Sequence, residues 1–280
     1  MVGRAVGEYC SSNGDLVFSY DHRTLDIGDA DRVMKTVSDN KPDAVINCAA
    51  WTDVDGCELD KERAFATNSR GPENLANASR EMNAVLVTIS TDYVFDGEKP
   101  GFYTLRDQPN PKSVYGISKL EGEHRAQLGC ARTIVVRTGF VFGPGGSNFL
   151  STIMERAGRG EKLKAIRDAY GTPSYAPDLA RRLRELAQLD LPGTFHVVNA
   201  GDGASYEEFA RAALDLAGYA STNVESVAMD SLNRPAPRPR NSRLKCLLSE
   251  AVGLAPLPFW KDSLRSFAAL DSRPEFIAKN

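Results

Sequence analysis

Cysteine and histidine are scarce in this chain. Its 280 residues hold five cysteines, three histidines and two tryptophans. The cysteines (Cys10, Cys48, Cys57, Cys130, Cys246) are odd in number and form no C-x-x-C pair. That excludes a disulfide framework or a cysteine zinc site as the organising device. They read as free thiols in a reducing compartment, with Cys48 inert inside an apolar strand. His22, His124 and His196 are scattered, so no metal site is expected. No apolar run approaches the roughly 18 residues of a membrane span, and the first residues show no apolar signal stretch. The net charge is −3 and the pI near 5.8, a balance that argues against a nucleic-acid or membrane-surface partner. No repeat or low-complexity tract is evident. A globular cytoplasmic protein is the expectation. The length suffices for a well-buried core in one large domain or two unequal lobes.

What the chain has is alternation. Strand-like apolar runs at 15–20, 43–49, 84–90, 132–137, 163–167 and 194–199 are separated by helical patterns at 29–39, 61–81, 113–128, 148–158, 176–188 and 205–217. Helix 61–81 contains Gly71-Pro72, where a bend is expected. Continuous apolar strands with helices between them predict an α/β fold, a doubly wound parallel sheet covered on both faces. After Gly143-Pro144-Gly145-Gly146 the pattern changes, marking a smaller C-terminal lobe. Ligands of open parallel sheets bind beyond the carboxyl ends of the strands. Asn47–Ala50, Ser90–Thr91 and Arg137–Phe140 all fall at such ends. Residues 231–242 are rich in proline and arginine. They read either as a solvated linker or as a basic loop over a phosphorylated ligand.

Tyr115-Gly-Ile-Ser-Lys119 is the most informative motif. Four residues along a helix return a side chain to the same face. A phenol with pKa near 10 is a poor acid at neutral pH, and a lysine one turn away lowers that value. The Thr91 hydroxyl, at a strand end, completes a three-donor cradle for a carbonyl oxygen. The Tyr/Lys pair alone is a weak signal. The order strand, hydroxyl, loop and Tyr/Lys helix gives it weight.

Together with Leu25-Asp26-Ile27, Pro42–Ala50, Ala64–Asn68, Ile89–Gly97 and Arg238–Arg243, this motif resembles the dTDP-4-dehydrorhamnose reductase family of extended short-chain dehydrogenase/reductases. The resemblance spans nearly the whole chain. It implies a Rossmann-like fold and NAD(P)H-dependent reduction of the 4-keto group of a dTDP-linked 6-deoxysugar, in dTDP-rhamnose biosynthesis. It makes Tyr115 the general acid, Lys119 its partner on the nicotinamide ribose, and Thr91 a hydrogen-bond donor to the keto oxygen. It places Gly3 and the backbone at Ala49 and Ala50 against the cofactor, and Asp26 and Ile27 beside the adenine. Asn68 falls near the cofactor, though read alone it is equally a helix-interior polar residue facing solvent. Asp92, Tyr93, Phe95 and Phe140 would shape the sugar pocket. Asn148 and the loop carrying Arg238, Arg240, Asn241 and Ser242 would hold the nucleotide diphosphate. Asp21 suits a ribose 2′-hydroxyl, whereas Arg23 and His22 suit a 2′-phosphate, so the cofactor is NADPH or NADH. A homodimer is compatible with the resemblance.

Three departures stand out. Where the family carries Arg-Thr-Ser-Trp, this chain has Arg137-Thr-Gly139-Phe140. Where it carries Asp-Gln-x-Gly-x-Pro-Thr, this chain has Asp168-Ala-Tyr-Gly-Thr-Pro-Ser174. Both leave the sugar's identity open. Of the family's G-x-x-G-x-x-G fingerprint only the last glycine, Gly3, has a counterpart. The expectation is a start codon further upstream or a truncated form, with unpaired sheet edges and weak NAD(P)H binding. The expected organisation is a dinucleotide-binding domain over 1–147, with segments near 172–200 returning to it, and a nucleotide-sugar lobe over 148–171 and 201–280. Two rival readings remain: a nucleotide-sugar epimerase or dehydratase, and a non-catalytic NAD(P)-binding regulatory subunit. Binding alone does not need Thr91, Tyr115 and Lys119 together.

Overall fold

The continuous apolar runs pair at the centre of the molecule, and the amphipathic ones cover them. The computed structural model describes residues 1–271. Along the chain lie α1 (Val2–Ser12), α2 (Ala30–Asn40), β1 (Ala44–Asn47), α3 (Val54–Leu59), α4 (Lys61–Phe65), a π-helical turn (Ala66–Arg70), α5 (Gly71–Glu81), β2 (Val85–Thr91), α6 (Val114–Gly129), β3 (Thr133–Thr138) and β4 (Val141–Phe142). They are followed by α7 (Phe149–Gly158), β5 (Leu163–Ile166), β6 (Tyr170–Gly171), β7 (Ser174–Tyr175), α8 (Ala176–Leu189), β8 (Gly193–His196), β9 (Ala204–Ser205), α9 (Tyr206–Leu216), β10 (Val224–Val227), α10 (Leu248–Ala251) and α11 (Trp260–Asp271).

The main sheet has the order β1-β2-β3-β8, and every pairing in it is parallel. Strand side chains alternate between faces. Val85, Val87, Ile134 and Val136 therefore meet Val6 of α1 and Leu183 of α8 on one side. Leu86 points the other way, to Val33 of α2, Leu75 of α5 and Ala126 of α6. This is the expected two-faced parallel sheet. The C-terminal half adds small two-stranded sheets, β5 with β10, β4 with β7 and β6 with β9. β4, β7 and β9 gather around Phe142, Phe209 and Trp260, and β5 with β10 packs against Ala210 and Leu214 of α9.

Residues 15–20 do not form the expected strand. A strand exists through its neighbour's hydrogen bonds, and among the described residues none pairs with this run. Leu16 stays 84% exposed and Phe18 49% exposed, while Val17 between them packs against the core beneath α1 and α8. Among the described residues β1 pairs with β2 alone, so it forms one edge of the sheet. Helix 61–81 also differs from expectation. The irregularity is the wide turn over Ala66–Arg70 just before Gly71. It brings the Asn68 carbonyl so close to α6 that a Cβ on Gly122 would stand 2.0 Å from it.

His196 ends β8 fully buried, and neither ring nitrogen has a hydrogen-bond partner. Burial, then the charge of Arg137, lowers its pKa to about 4. Unfolded histidine titrates near 6.5. Between these values the unfolded chain binds a proton that the folded chain refuses. Stability is therefore lost as the pH falls from about 6.5 to 4, by about 3 kcal/mol from this residue. Urea unfolding of wild type and His196→Gln across that range should show the slope in the wild type and a shallower one in the variant.

Candidate active site

The helix that carries Tyr115 starts at a fixed point. Ser113 caps α6 by accepting the Gly116 N–H at 3.2 Å. Glu58 accepts the Val114 N–H at 2.8 Å. Two acceptors on free first-turn amides set the helix start, and with it the position of Tyr115. β2 ends opposite, at Thr91. Its hydroxyl accepts from the Tyr93 N–H at 3.1 Å and donates to Asp92 Oδ1 at 3.1 Å. The Tyr115 phenol lies close enough for this hydroxyl to favour its ionised form.

Tyr115 and Lys119 are both buried. Burial raises the Tyr115 pKa and outweighs the lowering from the Thr91 hydroxyl. The helix spacing predicts that Lys119 lowers that value; instead, Lys119 Nζ donates to the Ile89 carbonyl at 2.7 Å and is not among the main influences on the phenol. Burial lowers the Lys119 pKa to about 8, opposed by Glu123 one turn further along α6. The phenol thus keeps its proton, the state in which an acid must wait.

Around this centre the structure sorts the expected pocket residues. Tyr93 meets Tyr115 edge to face, with centroids 5.9 Å apart. Phe140 leaves β3 at φ 44°, a region uncommon for bulky residues and frequent at functional sites. Its ring stacks on Tyr206 at 4.2 Å. Phe95 is instead a core residue, packed with Val94, Tyr103 and Leu244. Asp92 is buried, and its Oδ2 has no partner. Desolvation raises its pKa to about 6, opposed by the nearby hydroxyls of Ser242 and Thr91.

Other expected contacts are committed within the chain. Asp21 Oδ1 accepts from the Arg23 and Thr24 amides and closes its own turn. Arg23 is exposed. Asp26 accepts from the Gly28 N–H, and Ile27 is buried. The Ala49 N–H donates to Asn47 Oδ1 at 3.0 Å; Ala49 is exposed and Ala50 half-buried. Gly3 lies in the first turn of α1, where a Cβ would reach Cys48 at 3.4 Å. Asn68 does not face solvent. It is 1% exposed, accepts from the Trp51 N–H and donates to the Trp51 carbonyl and Ser118 Oγ. It ties the loop after β1 to the helix of Tyr115.

Asn148 caps α7 and donates to the Gly143 and Gly146 carbonyls. Arg238 forms a two-pronged pair with Asp55 at 2.9 and 2.8 Å, and its charge is felt by Tyr93 and Tyr206. Arg240 pairs outside with Asp168 and Asp230. Asn241 donates to the Lys99 and Gly101 carbonyls, and Ser242 Oγ to the Tyr170 carbonyl.

Sequence reasoning missed Tyr206, Arg234 and Lys164. They line a cavity of about 250 Å³ with Phe149, Ile166 and Val227. Arg234 belongs to the proline- and arginine-rich run 231–242, and Tyr206 left a signal of its own. Ser205 and Glu208 form a capping box, which fixes Tyr206 as the first residue of α9. The site therefore runs from a hydroxyl and phenol centre, past stacked aromatic rings, to an apolar hollow with cations at its rim.

Residues 1–272 match the profile of the RmlD substrate binding domain family. A dTDP-4-dehydrorhamnose reductase of Mycolicibacterium smegmatis is 36% identical over 274 residues, covering 96% of this chain and 82% of that relative. Among solved structures, dTDP-4-dehydrorhamnose reductase from Bacillus anthracis in complex with NADP superposes with a TM-score of 0.92 at 32% identity, over 96% of this chain and 95% of that one. The ortholog from Clostridium acetobutylicum gives 0.93 at 35% identity, over 97% and 96%. A two-faced parallel sheet with Thr91, Tyr115 and Lys119 at its carboxyl edge, matched along almost its whole length, makes this chain a member of the RmlD substrate binding domain family.

Proposed function

We propose that the chain is an NADPH-dependent oxidoreductase that reduces the 4-keto group of a dTDP-linked 6-deoxysugar, in keeping with relatives named dTDP-4-dehydrorhamnose reductase, one of them solved in complex with NADP. The observation that carries this is the convergence of Thr91 and a protonated Tyr115 at the carboxyl end of β2, with Lys119 one helical turn on.

The residues present fit a nicotinamide cofactor. Lys119 spends one N–H on Ile89 and leaves two donors for a ribose diol. Ile27 and Asp26 offer an apolar wall and an acceptor for the adenine end. When bound, the cofactor supplies a hydride. The chain's own part is to orient and protonate. Tyr115 holds the keto oxygen by a hydrogen bond that strengthens as negative charge develops there, and the Thr91 hydroxyl adds a second once it turns from Asp92 to the substrate. Tyr115 then releases its proton to that oxygen. Tyr93, Phe140 and Tyr206 exclude water from one side. The hollow rimmed by Lys164 and Arg234, with Arg238 beside it, suits the base and diphosphate of the nucleotide.

The test is direct. Purified protein with NADPH and a dTDP-4-keto-6-deoxysugar should consume NADPH and sugar in equal amounts. Sugar isomerised with no net loss of NADPH would favour the epimerase reading, and no chemistry at all the regulatory one. Arg238→Ala should raise the Kd for dTDP by roughly 10- to 100-fold, the usual range for a charge-assisted contact. Arg240→Ala, whose partners lie outside, should change it far less. Isothermal titration reads both.

No described helix is long and apolar enough to cross a membrane. The proposal places the chain in the cytoplasm, supported by its five free cysteines. It includes a homodimer. Ile117 and Leu128 are both exposed, eleven residues apart and hence on one face of α6, and such a contact would cover them. Sedimentation velocity tests it.

A further inference from the structure

Three consecutive residues of β2 serve three different purposes. The Ile89 carbonyl accepts from Lys119 Nζ at 2.7 Å. The Ser90 hydroxyl donates to the Glu123 carboxylate. Thr91 ends the strand at the reacting centre. Lys119 and Glu123 are thus fastened to adjacent links of one strand. They also lie four residues apart on α6, where side chains are neighbours with Cβ atoms about 5–6 Å apart. Both are buried, at 4% and 3% exposure. Glu123 also receives Arg137 through Nε and Nη2, at 2.9 and 2.6 Å. Arg137 directly precedes Thr138, the last residue of β3.

A buried ammonium bonded only to a neutral carbonyl is costly to keep charged. The groups that face Lys119 are Glu123 on its own helix and the Cys48 thiol just beyond β1. Desolvation pushes that thiol up to about 12, so it stays neutral. Glu123 is left as the anion facing Lys119, shared with Arg137 of β3.

We propose that Glu123 is a positioning residue of the reduction: its carboxylate keeps Lys119 an ammonium and ties it to the strand ends that carry Thr91 and Thr138. This rests on the reductase reading above. An ammonium with one N–H on Ile89 has two left for the ribose diol. A neutral amine has one left for the same two hydroxyls, and the charge is gone as well. The Lys119 pKa of about 8, where burial pulls down and Glu123 holds up, agrees with a group kept charged at neutral pH by this neighbour.

Glu123→Gln keeps the shape and removes the charge. In wild type, kcat/KM should fall as the pH rises through about 8, where Lys119 loses its proton. In the variant that midpoint should drop to about 7 or below, the size of one unit charge at this separation in a half-screened interior. At pH 6 its rate should return to within about 2-fold of wild type. Loss by one factor at every pH would mean that Glu123 only holds the fold together, and that overturns the proposal. A second measurement needs neither cofactor nor turnover. Carbon NMR of lysine labelled at Cε, with the Lys119 signal identified by its loss in Lys119→Met, should show the same fall in midpoint from wild type to Glu123→Gln. An unmoved midpoint overturns the proposal. Should Glu123→Gln fail to fold with Arg137 left unpaired, Glu123→Gln/Arg137→Met strands no charge and should show the same fall. Failure of wild type to reduce any keto-sugar, with the NMR midpoints separated as stated, would defeat the reductase reading and leave the hold of Glu123 on Lys119 standing.

Discussion

Tyr115→Phe is expected to lower kcat by about 10²–10⁴-fold while KM changes little, the range for loss of a general acid. The phenyl ring keeps the packing against Tyr93, Val114 and Cys57. Only the hydroxyl goes, and its neighbour Thr91 retains Asp92 and the Tyr93 amide. The fold should hold, so thermal melts of the two proteins should coincide. Stopped-flow NADPH oxidation under single-turnover conditions reads the chemistry itself. A variant keeping more than half the wild-type rate would remove Tyr115 from the role of acid.

Glu123→Ala should unfold the protein more readily, by about 3–5 kcal/mol, the cost of stranding a buried charge. Glu123 receives Arg137 through two nitrogens, at 2.9 and 2.6 Å, and also the Ser90 hydroxyl. Both ionised side chains are almost wholly enclosed, at 3% and 9% side-chain exposure. With Glu123 gone, the Arg137 guanidinium stays buried, stacked over Phe95 and facing His196. Its charge then has no counter-ion close by. Removing both charges as Glu123→Ala/Arg137→Met should recover much of the loss, because an apolar pair needs no counter-charge. Urea midpoints with unchanged m-values provide the comparison. If the double variant is no more stable than Glu123→Ala, the penalty belongs to a cavity and not to the orphaned arginine. The single variant should also lower the Lys119 pKa further, since Glu123 is the charge that raises it.

The main sheet and its catalytic edge were legible because their signals are local. Ala84–Ile89 is a continuous apolar run, and Thr91 follows it at the strand end. The Tyr115/Lys119 spacing states its own geometry once a helix is granted, and Ser113 announces where that helix begins. Residues 15–20 have the same composition as a strand but lack a partner, and pairing is not written in the run itself. The wide turn at Ala66–Arg70 has no compositional mark. Phe95, placed in the sugar pocket by its motif, went to the core because Tyr103 and Leu244 close over it. The partners of Arg238 lie furthest from sequence sight. Asp55 sits 183 residues away, so a loop that reads as free basic charge is already neutralised. Tyr206, Arg234 and Lys164 come together only when α9, β5 and the proline-rich loop meet.

The turn at Ala66–Arg70 separates two commitments of one continuous helix. Before it, Ala64 packs with Tyr115 and Cys57. After it, Leu75 and Ala76 pack with α2 and the sheet. Each residue of an α-helix advances by about 100°. The wide turn absorbs one extra residue, so both halves keep their faces along one rod. Losing that residue would restore ordinary helical bonding with the two halves still nearly in phase. What the deletion would remove is the bulge itself, which sets the Asn68 carbonyl against Gly122 of α6 and the Asn68 side chain between Trp51 and Ser118.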